Sequence, residues 1–240
     1  MNTDSDRPYV LLSCSLSLDG YLDTATDRRL VLSNAADLER VDRVRAGCDA
    51  ILVGAATVRC DNPRLLVRSE ARRAERLARG LPGTPVKVTV TESGRLDPAS
   101  RFFTTGRTEK LVFCPTATLP RVSDDLAGIA TVVDGGSRLS MRQVTRSLYA
   151  RGVRRLMVEG GGSVHTQFLT QGLVDELQLV VAPLFVGDSR APRFVADGRF
   201  PWDEEHRANL AEVRRIGDVV LLRYALSDRF SEAREPVHAN

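Results

Sequence analysis

Glu159-Gly-Gly-Gly-Ser163 joins an apolar run, Leu156-Met-Val158, to residues that read as a short helix from Ser163 to Gln171. A strand-to-helix turn of this kind leaves backbone N–H groups without intrahelical partners at the positive end of a helix dipole. Glycines there let a pyrophosphate approach the main chain. A tight crossover would use the same residues, and neither G-x-G-x-x-G nor the P-loop Gly-Lys-Ser/Thr is present. A second segment, "DAILVGAATVRCDNPRLLVR" from Asp49 to Arg68, passes from a buried strand into a polar, arginine-bearing loop. In it Gly54 and Ala55 leave room for a ligand, Thr57 offers a hydroxyl, Asp61 a carboxylate, and Arg64 and Arg68 can reach an anion. Asp61-Asn-Pro63 reads equally well as an ordinary turn, with Asp61 bonded to the backbone two residues on.

Other chemistry has less support. His165, His206 and His238 are the only histidines; none accompanies an obvious nucleophile, and His165 reads as helix surface. Cys14, Cys48, Cys60 and Cys114 are widely spaced with no metal-ligand pattern, so they read as buried thiols in a reducing compartment, with no metal expected. The 34 basic and 31 acidic side chains give a net charge of +3, and no helical basic stripe alternates with aromatics, which argues against nucleic acid. Arg72, Arg73 and Arg76 read as the solvated face of a helix. No apolar run approaches membrane-spanning length and the N-terminus lacks a signal-peptide core; the expectation is a cytoplasmic protein without membrane association.

The elements that would position these residues alternate. Tyr9 to Leu16 predicts a strand; Asn34 predicts a helix N-cap with Leu38, Val41 and Val44 inward and Gly47 as the stop; Ala50 to Val53 predicts the next strand. That is a βαβ unit, hence a sheet that is at least partly parallel. Ser69 to Arg79 predicts a helix, and Val86 to Val90, Leu111 to Cys114 and Ile129 to Val133 predict strands. Ser140-Met-Arg-Gln143 reads as a capping box opening a helix with Met141, Val144 and Leu148 inward. Leu177 to Leu184 predicts a strand, and Ala211 to Ile216 with Val219 to Ala225 a hairpin around Gly217-Asp218. The expected organisation is a disordered N-terminus over 1–7, one domain over 8–226 and a disordered tail over 227–240.

Taken in order, Ser17-Leu-Asp-Gly20, the 49–68 run, "EGGGSVHTQFL" from Glu159, and Leu173-Val-Asp-Glu-Leu177 followed by Ala182-Pro183 resemble the reductase domain of riboflavin biosynthesis. The resemblance implies an α/β fold: a single dihydrofolate-reductase-like domain, with a mostly parallel central sheet flanked by helices and a C-terminal antiparallel hairpin. It implies NADPH-dependent reduction of the ribosyl group of 5-amino-6-(5-phosphoribosylamino)uracil to the ribityl product, in a homodimer. The alternatives are a reductase of the same fold acting on a pteridine-like, folate-like or secondary-metabolite molecule, and a non-catalytic nucleotide-binding module. By resemblance, Ser15, Gly54, Thr57, Asp61 and the turn Gly160, Gly161, Gly162, Ser163 and Val164, extending to Gln167, line the NADPH site. Thr91, Ser93 or a nearby arginine would meet the 2′-phosphate, and Arg29, Arg45, Leu65, Arg68 and Glu159 would face the phosphorylated substrate, with Arg68 on the phosphate. Asp61 and Glu159 are the candidate catalytic acids. Two places depart from the family pattern: Ser13 replaces a lysine, and Asp27-Arg-Arg-Leu-Val31 replaces Gly-x-Ser-x-Trp, putting Arg29 at the serine position and Val31 at the tryptophan. The zinc deaminase motifs of the bifunctional enzyme are missing.

Overall fold

The computed structural model describes residues 6–26 and 29–230. Among these residues nine strands form one sheet: β1 (Tyr9–Ser17), β2 (Ala50–Gly54), β3 (Val86–Val90), β4 (Lys110–Cys114), β5 (Thr131–Asp134), β6 (Arg155–Gly160), β7 (Glu176–Ala182), β8 (Asn209–Ile216) and β9 (Val219–Ala225). Their order is β5-β4-β3-β2-β6-β1-β7-β9-β8, with β1 to β7 parallel and β8 and β9 antiparallel at one end. β1 and β2 are parallel as the βαβ reading requires, but β6 lies between them.

Among the described residues the helices are α1 (Ala35–Ala46), α2 (Ala55–Asp61), α3 (Glu70–Ala78), α4 (Arg101–Thr104), α5 (Leu119–Asp125), α6 (Met141–Ala150) and α7 (Gly162–Thr170). Both sheet faces are covered, so the central strands are apolar on both sides. Val10, Leu12, Leu52 and Val158 pack with Met141, Val144 and Leu148 of α6 and Val164 and Phe168 of α7. Tyr9, Leu11, Ile51 and Met157 pack on the other face with Val58 of α2, Phe102 and Phe103 of α4, and Val122 of α5.

Several local expectations need correction. The segment after β2 is not a loop from Gly54 on: Ala55–Asp61 is a helix, too short to show its period in sequence. Ser140 is the N-cap of α6, but its side chain makes no capping bond. Leu38 is 41% exposed, and the buried side of α1 instead carries Asp37, Arg40 and Asp42, where Arg40 Nε donates to Asp37 and its Nη1 to Gln178 of β7. Arg76 is buried rather than solvated, donating to the carbonyls of Pro82 (2.8 Å), Ala46 and Cys48 (both 2.7 Å). His165 is 1% exposed. Among the cysteines Cys48 and Cys114 are buried, Cys14 is half-buried and Cys60 is exposed. Arg7 is buried on Asp175 (2.6 Å), which also accepts from Ser227 (2.6 Å), so 7 and 227–230 are fastened to the body by one carboxylate. The remaining N-terminal and tail positions, 1–5 and 231–240, lie outside the described residues. No helix among those described is long and apolar enough to cross a membrane.

Candidate active site

The carboxyl ends of β1, β6 and β2 meet where the strand order doubles back, the place at which open α/β sheets bind ligands. A cavity of about 840 Å³ opens there between α1, the segment leading into it and the loop that joins α2 to α3. Ser15, Arg29, Arg45, Asp61, Leu65 and Arg68 all line it, six of the residues singled out from sequence. Ser13 does not: it is buried within β1. Of the two departures from the family pattern, the second reaches the cavity, through Arg29 and Val31.

The wall carrying Asp61 is held in an unusual backbone shape. Asn62 ends α2 in the left-handed region (φ 44°), and its Oδ1 accepts from the Arg101 N–H at 2.6 Å. Leu65, a bulky residue with φ 47°, is 2% exposed and faces the cavity; such a residue persists at positive φ only where its surroundings enforce it. The chain just beyond Leu65 is anchored by Asp42 of α1, whose carboxylate accepts from the N–H groups of Arg68 and Ser69 and from Arg72 (2.9 Å). Burial disfavours the charged Asp42, but these donors outweigh it and hold its pKa below the ordinary carboxylate value. The Asp61 pKa is raised, chiefly by burial; Arg29 opposes that and Asp23 adds to it.

Glu159 reaches the site through an irregularity. Leu52 pairs with Val158 and Val53 with Gly160, so Glu159 is an extra residue in β6, a bulge of the kind that re-aims a side chain. Its carboxylate accepts from Arg45 Nε and Nη2, both at 2.6 Å, while Arg45 Nη1 donates to Leu66 O at 3.3 Å.

Beside this pair lies the glycine-rich turn. Gly161 has φ 87°, and a Cβ there would stand 3.1 Å from Thr57 Oγ1; a Cβ on Gly54 would meet Val164 at 2.9 Å. The structure thus brings Gly54 to Val164 and Thr57 to Gly161, while Gly54, Thr57 and Gly160 to Val164 stand outside the cavity lining. Helix α7 begins at Gly162 with no side-chain capping bond, which leaves its first N–H groups available to an anion. Thr91 stands apart at the end of β3, 3% exposed, with its hydroxyl accepting from Gly94 N at 3.0 Å.

A strap over residues 191–196 covers the turn. A Cβ on Gly162 would stand 2.3 Å from Arg193 O. His165 Nδ1 donates to Phe194 O (3.1 Å), and Thr166 Oγ1 accepts from Ala196 N (2.8 Å). The strap also grips the segment after β1, through Phe194 N to Gly20 O (3.0 Å) and Leu22 N to Pro192 O (2.8 Å). Leu22 and Asp23 then enter the cavity lining. Sequence reasoning missed Asp23, Ser33, Leu38 and Arg101 in that lining; nothing in their local pattern marks them.

The sequence profile of the RibD C-terminal domain matches residues 8–222. The chain is 32% identical over 225 residues, 94% of its length and 99% of the relative's, to 2,5-diamino-6-ribosylamino-4(3H)-pyrimidinone 5′-phosphate reductase of Archaeoglobus fulgidus. It is 35% identical to the reductase of the same name from Methanothermobacter thermautotrophicus, over 92% of this chain and 99% of that one. Among solved structures it is similar to a pyrimidine reductase-like protein of Corynebacterium diphtheriae (TM-score 0.76, 23% identity, 93% of each chain). It also resembles Acinetobacter baumannii RibD in fold (TM-score 0.74, 23% identity), covering 92% of this chain and 58% of that one.

Proposed function

The chain belongs to the RibD C-terminal domain family of riboflavin-biosynthesis reductases, and from that membership we propose that it reduces a ribosylaminopyrimidine 5′-phosphate to the ribitylamino product. Two substrates fit the chemistry. The resemblance in sequence implied the uracil; the names of two relatives matched over 99% of their length favour 2,5-diamino-6-ribosylamino-4(3H)-pyrimidinone 5′-phosphate, which carries an amino group where the uracil has a carbonyl. Opening of the ribose ring gives a C1′=N bond; reduction delivers a hydride to C1′ and a proton to nitrogen.

The family's activity suggests a nicotinamide cofactor, and we take it to be NADPH, which when bound supplies the hydride. The uncapped start of α7 and the side-chain-free Gly161 suit a pyrophosphate, with Thr57 beside it. Asp61, partly buried in the cavity wall, is the residue assigned to hold the proton, and the Arg45–Glu159 pair to orient the pyrimidine. The observation that carries this reading is the adjacency of that turn to a cavity lined by Asp61, Arg45 and Leu65.

Anaerobic loss of NADPH absorbance is measured with each pyrimidine, with NADH in parallel. Oxidation matched one to one by ribityl product is expected. Tight NADPH binding without turnover of either would favour the second reading, a reductase of another small molecule, whose support is Arg29 inside the cavity. A homodimer, in which the exposed Leu210, Val213 and Val220 of β8 and β9 would be covered, completes the proposal; sedimentation as a monomer at micromolar concentration would exclude it.

A further inference from the structure

Six arginines line the cavity (Arg29, Arg45, Arg64, Arg68, Arg73 and Arg101) against two carboxylates, Asp23 and Asp61. They are not equivalent. Arg45 is engaged with Glu159 on two of its nitrogens. Arg73 donates to Val67 O (3.0 Å) and Arg68 O (2.6 Å). Arg68, the residue that the family resemblance gives to the phosphate, bonds Leu38 O and lies 3.7 Å from the Asp42 carboxylate. Among the described residues the side chains of Arg29, Arg64 and Arg101 make no hydrogen bond and no ion pair.

The three uncommitted arginines line the same cavity and are connected through one loop. Arg101 is tied by its backbone N–H to Asn62, two residues before Arg64, and Arg29 acts electrostatically on Asp61, next to Asn62. Loop 61–65 therefore links the three: its Asn62 holds the Arg101 backbone, its Asp61 feels Arg29, and it carries Arg64 itself. A phosphate monoester, with a charge of about −1.5 to −2 near neutral pH, is the ligand group that several planar guanidinium forks match. A carboxylate carries a single negative charge, about half to two-thirds as much, and engages one fork.

We propose that Arg29, Arg64 and Arg101 form the subsite for the substrate's phosphate ester, while Arg68 serves to brace loop 62–69 against α1. The inference rests on the reading that this cavity takes a phosphorylated substrate, and it names which side chains recognise that group. It also gives Arg29, foreign to the family pattern, a purpose: a cation added to the lining of the site.

The first measurement is calorimetric titration of the purified protein with inorganic phosphate, which requires no turnover. R29Q, R64Q and R101Q should each weaken phosphate binding about tenfold, the loss of one charge-assisted contact, whereas R146Q, a charge-matched change on the exposed side of α6, should not. With the pyrimidine substrates, the same three variants should raise KM for the phosphorylated compound and leave that of the dephosphorylated riboside unchanged. If R68Q alone removes phosphate binding, or the wild type binds no phosphate, the subsite assignment is overturned. If phosphate binds through the three arginines while neither pyrimidine is reduced, the proposed function fails and the subsite stands. Turnover that depends on the ester but not on the three arginines has the converse meaning.

Discussion

Arg45 and Glu159, 114 residues apart in the chain, clasp each other through two parallel 2.6 Å contacts at the edge of the cavity. Their side chains are 17% and 14% exposed, so solvent screens the pair only in part. The bulge in β6 makes the contact possible, and α1 supplies the partner.

Removing either member leaves the other in a poorly solvated place. E159Q and R45M should each destabilise the protein by roughly 1–3 kcal/mol, and the double variant by less than their sum. Urea unfolding of the four-member cycle tests this. Single effects that add within about 0.5 kcal/mol would mean that the two groups do not interact energetically. Reductase activity should fall in both single variants.

His165 links α7 to the strap, and burial lowers its pKa to about 4, against the small opposing effect of its bond to Phe194 O. In the unfolded chain the imidazole titrates near 6.5, so between these values the unfolded state holds more protons. Stability contributed by the neutral ring is therefore complete above pH 6.5 and lost as pH falls toward 4. The full span corresponds to roughly 3 kcal/mol. Thermal unfolding from pH 4.5 to 7 should show a steeper dependence in wild type than in H165F. Parallel curves would remove His165 from this role. Because the strap also grips the cavity wall, H165F should raise KM for both cofactor and pyrimidine.

Two glycines separate conformational strain from close approach. Gly152, at φ 91° after α6, has open space where a Cβ would be, so G152A should cost about 1 kcal/mol and leave kinetics alone. Gly162 would put a Cβ 2.3 Å from Arg193 O. G162A must displace the strap or the start of α7; a loss of about 1–3 kcal/mol and weaker NADPH binding are expected. Equal NADPH affinity in the two variants would show that the turn does not contact the cofactor.

Arg76 ties the end of α3 to the end of α1 through three carbonyls. R76A leaves all three without their donor and should destabilise by roughly 2–4 kcal/mol; R76K, which keeps the charge but not the fork, should recover part of that. A loss below about 0.5 kcal/mol in R76A, measured by urea unfolding, would return Arg76 to the solvated surface.

The amino-acid sequence alone determined the features whose causes are local. Strand β2 is a continuous apolar run, and β3 and β4 are mostly apolar, because both faces of a parallel sheet are dry; such runs declare themselves within five residues. Asn34 caps α1 through Asp37 N as its residue type suggests, and Gly161 takes the positive φ that a tight turn needs. The ordered motifs also sufficed to indicate the family. What tertiary structure decided is where charge goes. Arg76 and His165 read as surface because nothing nearby in sequence offers them partners; their partners are distant backbone carbonyls delivered by other elements. The insertion of β6 between β1 and β2, the bulge that turns Glu159 toward Arg45, and the division of the cavity's arginines into engaged and free all depend on contacts across a hundred residues or about thirty. Hydrophobic period and turn chemistry act over a few residues and can be read in one dimension. Pairing of buried polar groups is a property of three-dimensional neighbours, and it becomes visible only once the sheet has brought them together.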